Sequence, residues 1–169
     1  MIPEEIKNRV AESKIVTFDL EDYYPKDERV LFDISAWLYE QMILKEKDFR
    51  EMAKNHNWEQ YKDAYVALNC STDAIIPAWA YMLITTYLSS YAKKVIVGDL
   101  KQLETSLYQE IIENMDLSGL KDLPVIVKGC SHKPVPQNAY IFLIQKLQPI
   151  AKSIMYGEAC SAVPLFKRK

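Results

Sequence analysis

The chain has 169 residues, 49% apolar and 26% charged, with a formal net charge of −2. That length suits one domain with a substantial core, and the composition is that of an ordinary globular protein. The missing basic field argues against nonspecific nucleic-acid binding.

The N-terminus, Met1-Ile-Pro-Glu-Glu-Ile-Lys, lacks the basic-then-apolar pattern of a secretory signal, so a cytoplasmic, reducing location is expected. Ile15–Leu20 alternates and suits an edge strand; Val30–Ile34 is a short apolar run. Glu46–His56 reads as a helix with Phe49, Met52, Ala53 and His56 on one face. After residue 63, strand-like and helix-like segments alternate. Tyr65–Asn69 is a strand, and Ala74–Ala92 a helix with Asp73 as N-cap. Lys94–Gly98 is a strand, and Leu100–Met115 an amphipathic helix repeating Leu103, Leu107, Ile111 and Met115. Pro124–Lys128, Asn138–Ala151 and Ser153–Tyr156 continue as strand, helix and strand.

This order predicts an α/β fold: a three-layer core around a mainly parallel sheet of four to five strands. Residues 64–169 form that core, and residues 1–63 an irregular α+β extension packed on it, all within a single domain, 1–169. No internal repeat is evident. The basic tail Phe166–Lys169 reads as a solvated terminus. Ala74–Ala92 is uncharged over nineteen positions, long enough to span a bilayer. Pro77, several hydroxyl residues and close flanking charge favour a buried helix instead, so no membrane contact is expected. Its aromatic-rich surface also marks the chain as a candidate homodimer.

The chain's three cysteines are each followed by serine: Cys70-Ser71, Cys130-Ser131 and Cys160-Ser161. Each follows a strand-like run, and in a parallel sheet all carboxyl ends share one edge, where ligands bind. With strand order 2-1-3-4 the three strands would be neighbours, about 4.8 Å apart, and the thiols would converge. Three thiolates plus His132 would suit zinc, with Asp73, Asp99 or Glu158 as other fourth ligands. Three cysteines would also suit an iron–sulfur cluster with one open iron. Ser71, Ser131 and Ser161 could donate to sulfur, and Gly129 allows close approach. Alternatively Cys70, ahead of a helix N-terminus, is an activated thiol of a metal-free enzyme. The third reading is a homo-oligomeric binding or scaffold protein whose cysteines only pack. His56, on an apolar helix face, reads as a satisfied boundary histidine, and the acidic run Asp19–Asp22 as a solvated face.

Several phrases resemble one family: Val16-Thr-Phe-Asp-Leu-Glu-Asp-Tyr23, Ile76-Pro-Ala-Trp-Ala-Tyr-Met82, Ala151-Lys-Ser-Ile-Met-Tyr-Gly-Glu158 and Cys160-Ser-Ala-Val-Pro-Leu165. They are similar to the bacterial, mostly Bacteroidetes, domain of unknown function numbered 2480. The resemblance spans nearly the whole chain and supplies no activity or catalytic residue. It implies a link to iron–sulfur assembly proteins as partners.

Overall fold

The computed structural model describes residues 15–129, 132–158 and 160–169. In chain order the elements are β1 (Val16–Phe18), β2 (Arg29–Asp33), α1 (Glu46–Asn55), β3 (Tyr65–Asn69), α2 (Ala78–Leu88) and β4 (Lys94–Val97). They continue with α3 (Leu100–Asn114), β5 (Pro124–Val127), α4 (Gln137–Leu147), β6 (Ser153–Glu158) and β7 (Ser161–Lys167). Short 3-10 turns follow β1 and β2 and precede β3 and β5. The fold is α/β, as expected. Among the described residues no helix is long and apolar enough to cross a membrane.

The strands form two sheets rather than one: β2-β3-β4, and β1-β5-β6-β7. The first sheet is wholly parallel; the second is parallel except for the antiparallel β6–β7 pair. The chain correspondingly divides into two compact units. One is Pro25–Ser106; the other runs up to Tyr24 and resumes over Leu107–Lys169.

The Pro25–Ser106 unit is built around Phe32, Ile34, Phe49, Val66, Leu68 and Ile84. In α1, Phe49 and Ala53 are spaced by four and face inward, while Lys47, Glu51 and Lys54 remain in water. Burying a side chain the size of Phe49 contributes about 1.5–3 kcal/mol. α2 begins at Ala78 rather than Ala74, because Pro77 precedes it. Proline disfavours helical geometry at the residue before it, here Ile76, and lacks a donor, so the first turn forms only beyond it. Asp73 is therefore no N-cap of α2.

In the other unit Val125, Val127, Leu143, Leu147, Ile154 and Tyr108 fill the core. α4 likewise starts directly after a proline, Pro136. Lys146 Nζ donates to the carbonyls of Ile112, Glu113 and Met115, each at 2.7 Å, and so satisfies the carboxyl end of α3. The basic C-terminus is no solvated tail up to Lys167: β7 pairs with β6 through Phe166 and Lys167.

The units are two copies of one plan, which corrects the expectation of no repeat. Residues 49–98 superpose on 108–157 in sequence without a gap, and twelve of these fifty positions are identical. Asp63 and Asp122, 59 positions apart (122 − 63), both take left-handed φ, of 61° and 58°. Both donate their N–H to the equivalent carbonyls, Tyr91 and Ile150. Gly98 and Gly157 share positive φ, 146° and 122°, where a side chain would be strained. The first strands, Val30-Leu-Phe-Asp-Ile34 and Val16-Thr-Phe-Asp-Leu20, complete the match. Val30 pairs with Val66, and Val16 with Val125, its equivalent. Among the described strands, β7 alone has no counterpart.

Candidate functional site

The carboxyl edge of each sheet carries the same device, an aspartate that faces the loop after the central strand. In the Pro25–Ser106 unit this is Asp33, at the end of β2. Its Oδ1 accepts from the Ser35 N–H at 2.9 Å, capping the 3-10 turn, and from the Ser71 N–H at 3.0 Å. The Ser35 and Ser71 hydroxyls lie 3.0 Å apart. Burial alone would raise the Asp33 carboxyl, but hydrogen bonds from Ser71 and Ser35 outweigh it and bring it to about 2. Asp33 is therefore a fixed anion that anchors the Cys70–Pro77 loop.

Cys70 is half-buried. Its Sγ lies 3.4 Å from Thr72 Oγ1 and 3.6 Å from the Thr72 carbonyl. Thr72 Oγ1 donates to the Gln41 carbonyl at 2.7 Å and ties the loop to a tight hairpin. Tyr39 and Ile43 pair across that hairpin, with Glu40 and Gln41 at φ 50° and 58°. Two successive non-glycine residues in this region cost energy, and the Thr72 bond helps hold them there. Beside the loop lies an open depression of about 600 Å³, lined by Met42, Ile43, Ile75 and Trp79 with Glu46 and Asp73. Ile75 is 91% exposed at its rim.

In the other unit Asp19 takes the same place. Burial raises its carboxyl, but Lys128 Nζ at 2.9 Å and the Glu21 N–H at 2.9 Å together hold it below the usual range. The Glu21 carboxylate accepts from the His132 N–H, and its carbonyl from Lys133 Nζ at 3.1 Å. The Tyr156 ring lies over Gly129, where a Cβ would come within 2.8 Å of it, and packs edge-on against Tyr140 with centroids 5.9 Å apart. The run Asp19–Asp22 is thus no simple solvated face.

The model matching residues 4–168 is that of DUF2480, described as a protein of unknown function. The chain belongs to the DUF2480 family. No curated protein and no solved structure shows significant similarity to it. The family description supplies no chemistry, so the reading of this member rests on its geometry.

The shared-edge argument for three thiols needed one sheet with order 2-1-3-4, and that premise fails. Cys70 follows β3, in the three-stranded sheet, whereas β5 and β6 belong to the other. Cys130 and Ser131 lie outside the described residues. Cys160 is exposed in the turn between β6 and β7, with Ser161 opening β7, so this Cys-Ser pair sits in a hairpin rather than before a helix. Among the described residues no three His, Cys, Asp or Glu side chains are grouped to hold a metal. Asp99 is committed locally: it exchanges two 2.8 Å hydrogen bonds with Gln102 as a capping box for α3. Seven residues separate Cys70 from α2, which removes the helix-terminus argument for its activation.

Two of the three Cys-Ser pairs fall in aligned stretches of the sequence repeat, displaced by one position. His56 is the satisfied boundary histidine expected, 2.9 Å from Tyr61 Oη and edge-on to Trp37 and Trp58. The residues the sequence reading missed are Asp19 and Asp33. The twice-written Val-x-Phe-Asp motif was the signal that marked them.

Proposed function

We propose that this protein is a binding module without chemistry of its own. Its occupant is an apolar, basic-flanked segment of a partner protein, held between the Tyr39–Ile43 hairpin and the Cys70–Pro77 loop. The observation that carries this reading is the exposed apolar rim, Met42, Ile43 and Ile75, around the depression of about 600 Å³. Contiguous exposed apolar surface of this kind marks interaction sites. Glu46 and Asp73 at its border favour a basic flank. The Asp33 and Thr72 anchors support a surface held in shape before binding, which lowers the ordering cost.

The test is titration with a fluorescent peptide of alternating leucine and lysine. Saturable binding, weakened tenfold or more by Ile75→Asp and by Ile43→Asp, is expected. Unsaturable binding indifferent to both changes refutes the reading. Concentration-dependent dimerisation lost in the same variants would make a second copy the occupant. The competing metal reading, with zinc or an iron–sulfur cluster and a role in sulfur metabolism, is tested by metal analysis after anaerobic purification. One equivalent of zinc or iron, lost on Cys70→Ser, would replace the binding proposal.

A further inference from the structure

The duplication supplies an internal template for the outer edge of β4. β4 and β6 are equivalent strands, each on the far side of its central strand. β6 carries a further antiparallel strand, β7, with Ile154 opposite Phe166 and Tyr156 opposite Val163. Among the described residues no strand pairs with the outer side of β4. The Gly98 N–H donates to Leu68 in β3 at 2.9 Å. Backbone groups alternate along a strand, so the Val95 and Val97 amides face away from β3. They are the equivalents of Ile154 and Tyr156.

The side chains beside the edge point the same way. In the β6 unit the Tyr156 ring packs on Tyr140, and glycine at 129 leaves it room. In the β4 unit these three positions are Val97, Tyr81 and Cys70. The smaller valine leaves an apolar depression of about 390 Å³, lined by Ala78, Tyr81, Met82, Thr85 and Val97. Val97 is 57% and Met82 66% exposed. β7, at the end of its own sheet, carries Pro164, a residue that blunts an edge; β4 carries no proline.

We infer that β4 accepts an extended segment of a partner protein as an added antiparallel strand, with an aromatic side chain of that segment entering the depression beside Val97. Main-chain pairing to Val95 and Val97 supplies affinity, and the ring supplies selectivity. This surface is separate from the hairpin depression, and neither proposal depends on the other.

The experiment uses the full chain and a labelled heptapeptide of alternating valine and threonine with one central tyrosine. Its control has alanine at the centre. Anisotropy should saturate with the tyrosine peptide, at least tenfold tighter than with alanine. Amide exchange at Val95 and Val97 should slow on binding. Val97→Pro removes an outward donor while leaving the Gly98–Leu68 bond, and should abolish binding. Met82→Asp serves if Val97→Pro fails to fold. The double change Cys70→Gly with Val97→Tyr should fill the depression from within and weaken the tyrosine peptide tenfold. No saturable binding by wild type at millimolar peptide overturns the inference, as does undiminished binding by Val97→Pro or Met82→Asp. Dimerisation of the free protein that Val97→Pro abolishes also overturns it, since the occupant would then be a second copy.

Discussion

Replacing Asp33 by alanine isolates the contact that shapes the Cys70 loop. Oδ1 accepts two backbone hydrogen bonds, from Ser35 at 2.9 Å and Ser71 at 3.0 Å. Loss of an N-cap costs about 1 kcal/mol. The second bond, to a charged acceptor, adds about 1.5–3 kcal/mol. The expected loss at pH 7 is therefore about 2.5–4 kcal/mol. The titration of the same group gives an independent scale. Burial raises the Asp33 carboxyl and the Ser71 and Ser35 hydrogen bonds lower it, for a net fall from 3.8 to about 2. At 1.36 kcal/mol per pKa unit that is on the order of 2 kcal/mol. A carboxyl depressed on folding binds fewer protons in the native state. Its contribution is complete above the unfolded value of 3.8 and disappears as pH falls through about 2. Urea denaturation of wild type and Asp33→Ala at pH 7 and at pH 2 measures both quantities, with Asp33→Asn recovering part of the loss. A cost below about 0.5 kcal/mol at pH 7, or a gap equally large at pH 2, would refute the assignment.

The two positive-φ glycines should respond unequally. A Cβ at Gly157 meets the Ser161 carbonyl at 2.7 Å, whereas at Gly98 it meets only the movable Gln102 side chain. Gly157→Ala should cost more than Gly98→Ala, with a backbone-strain component of about 1–3 kcal/mol in each; equal thermal midpoints would contradict this. Lys146→Met should strip three acceptors of their donor at the end of α3. A loss of about 1–3 kcal/mol is expected from denaturant unfolding, and a wild-type midpoint would remove Lys146 as a cap. Burial lowers the His56 pKa below 6.5. Its neutral form is the folded one, so stability should be full above 6.5 and decline as pH falls through the lowered value. Melting temperatures between pH 8 and 5 should show that decline in wild type and a flatter profile in His56→Phe.

The strands and helices were legible because local pattern dictates them: Val66–Leu68 and Val125–Val127 are fully buried runs, and Phe49 with Ala53 keeps helical spacing. Sheet membership was not legible. Nothing in Val16–Phe18 or Val30–Phe32 says which central strand each will join, and their near-identity makes either pairing locally acceptable. β7 was missed because Pro164 reads against a strand, although an edge strand tolerates it. The repeat was hidden because packing positions drift freely, as Trp58 has become Leu117. What persists is backbone geometry: Asp63 and Asp122, Gly98 and Gly157 at positive φ, Pro77 and Pro136 before helices. For the candidate site, Cys70 stands in the loop that Asp33 and Thr72 hold, whereas Cys160 lies in the β6–β7 turn. Their convergence rested on a strand order that local sequence does not encode.

Splitting one unit across the chain has a consequence for biosynthesis. Residues Pro25–Ser106 leave the ribosome as a continuous stretch holding every strand of their own sheet. β1 emerges first, yet its hydrogen-bonding neighbour is β5, and the Asp19–Lys128 contact spans 109 residues. Until that neighbour is made, Val16–Phe18 has a competing acceptor in β3, whose partner β2 differs from β1 by a single residue across Val-x-Phe. The faithful copy must therefore claim β3 early. Leu31, where β1 has Thr17, and the additional ladder positions at Arg29 and Asp33 give β2 that advantage. The few differences between two nearly interchangeable strands thus become a sorting signal during synthesis.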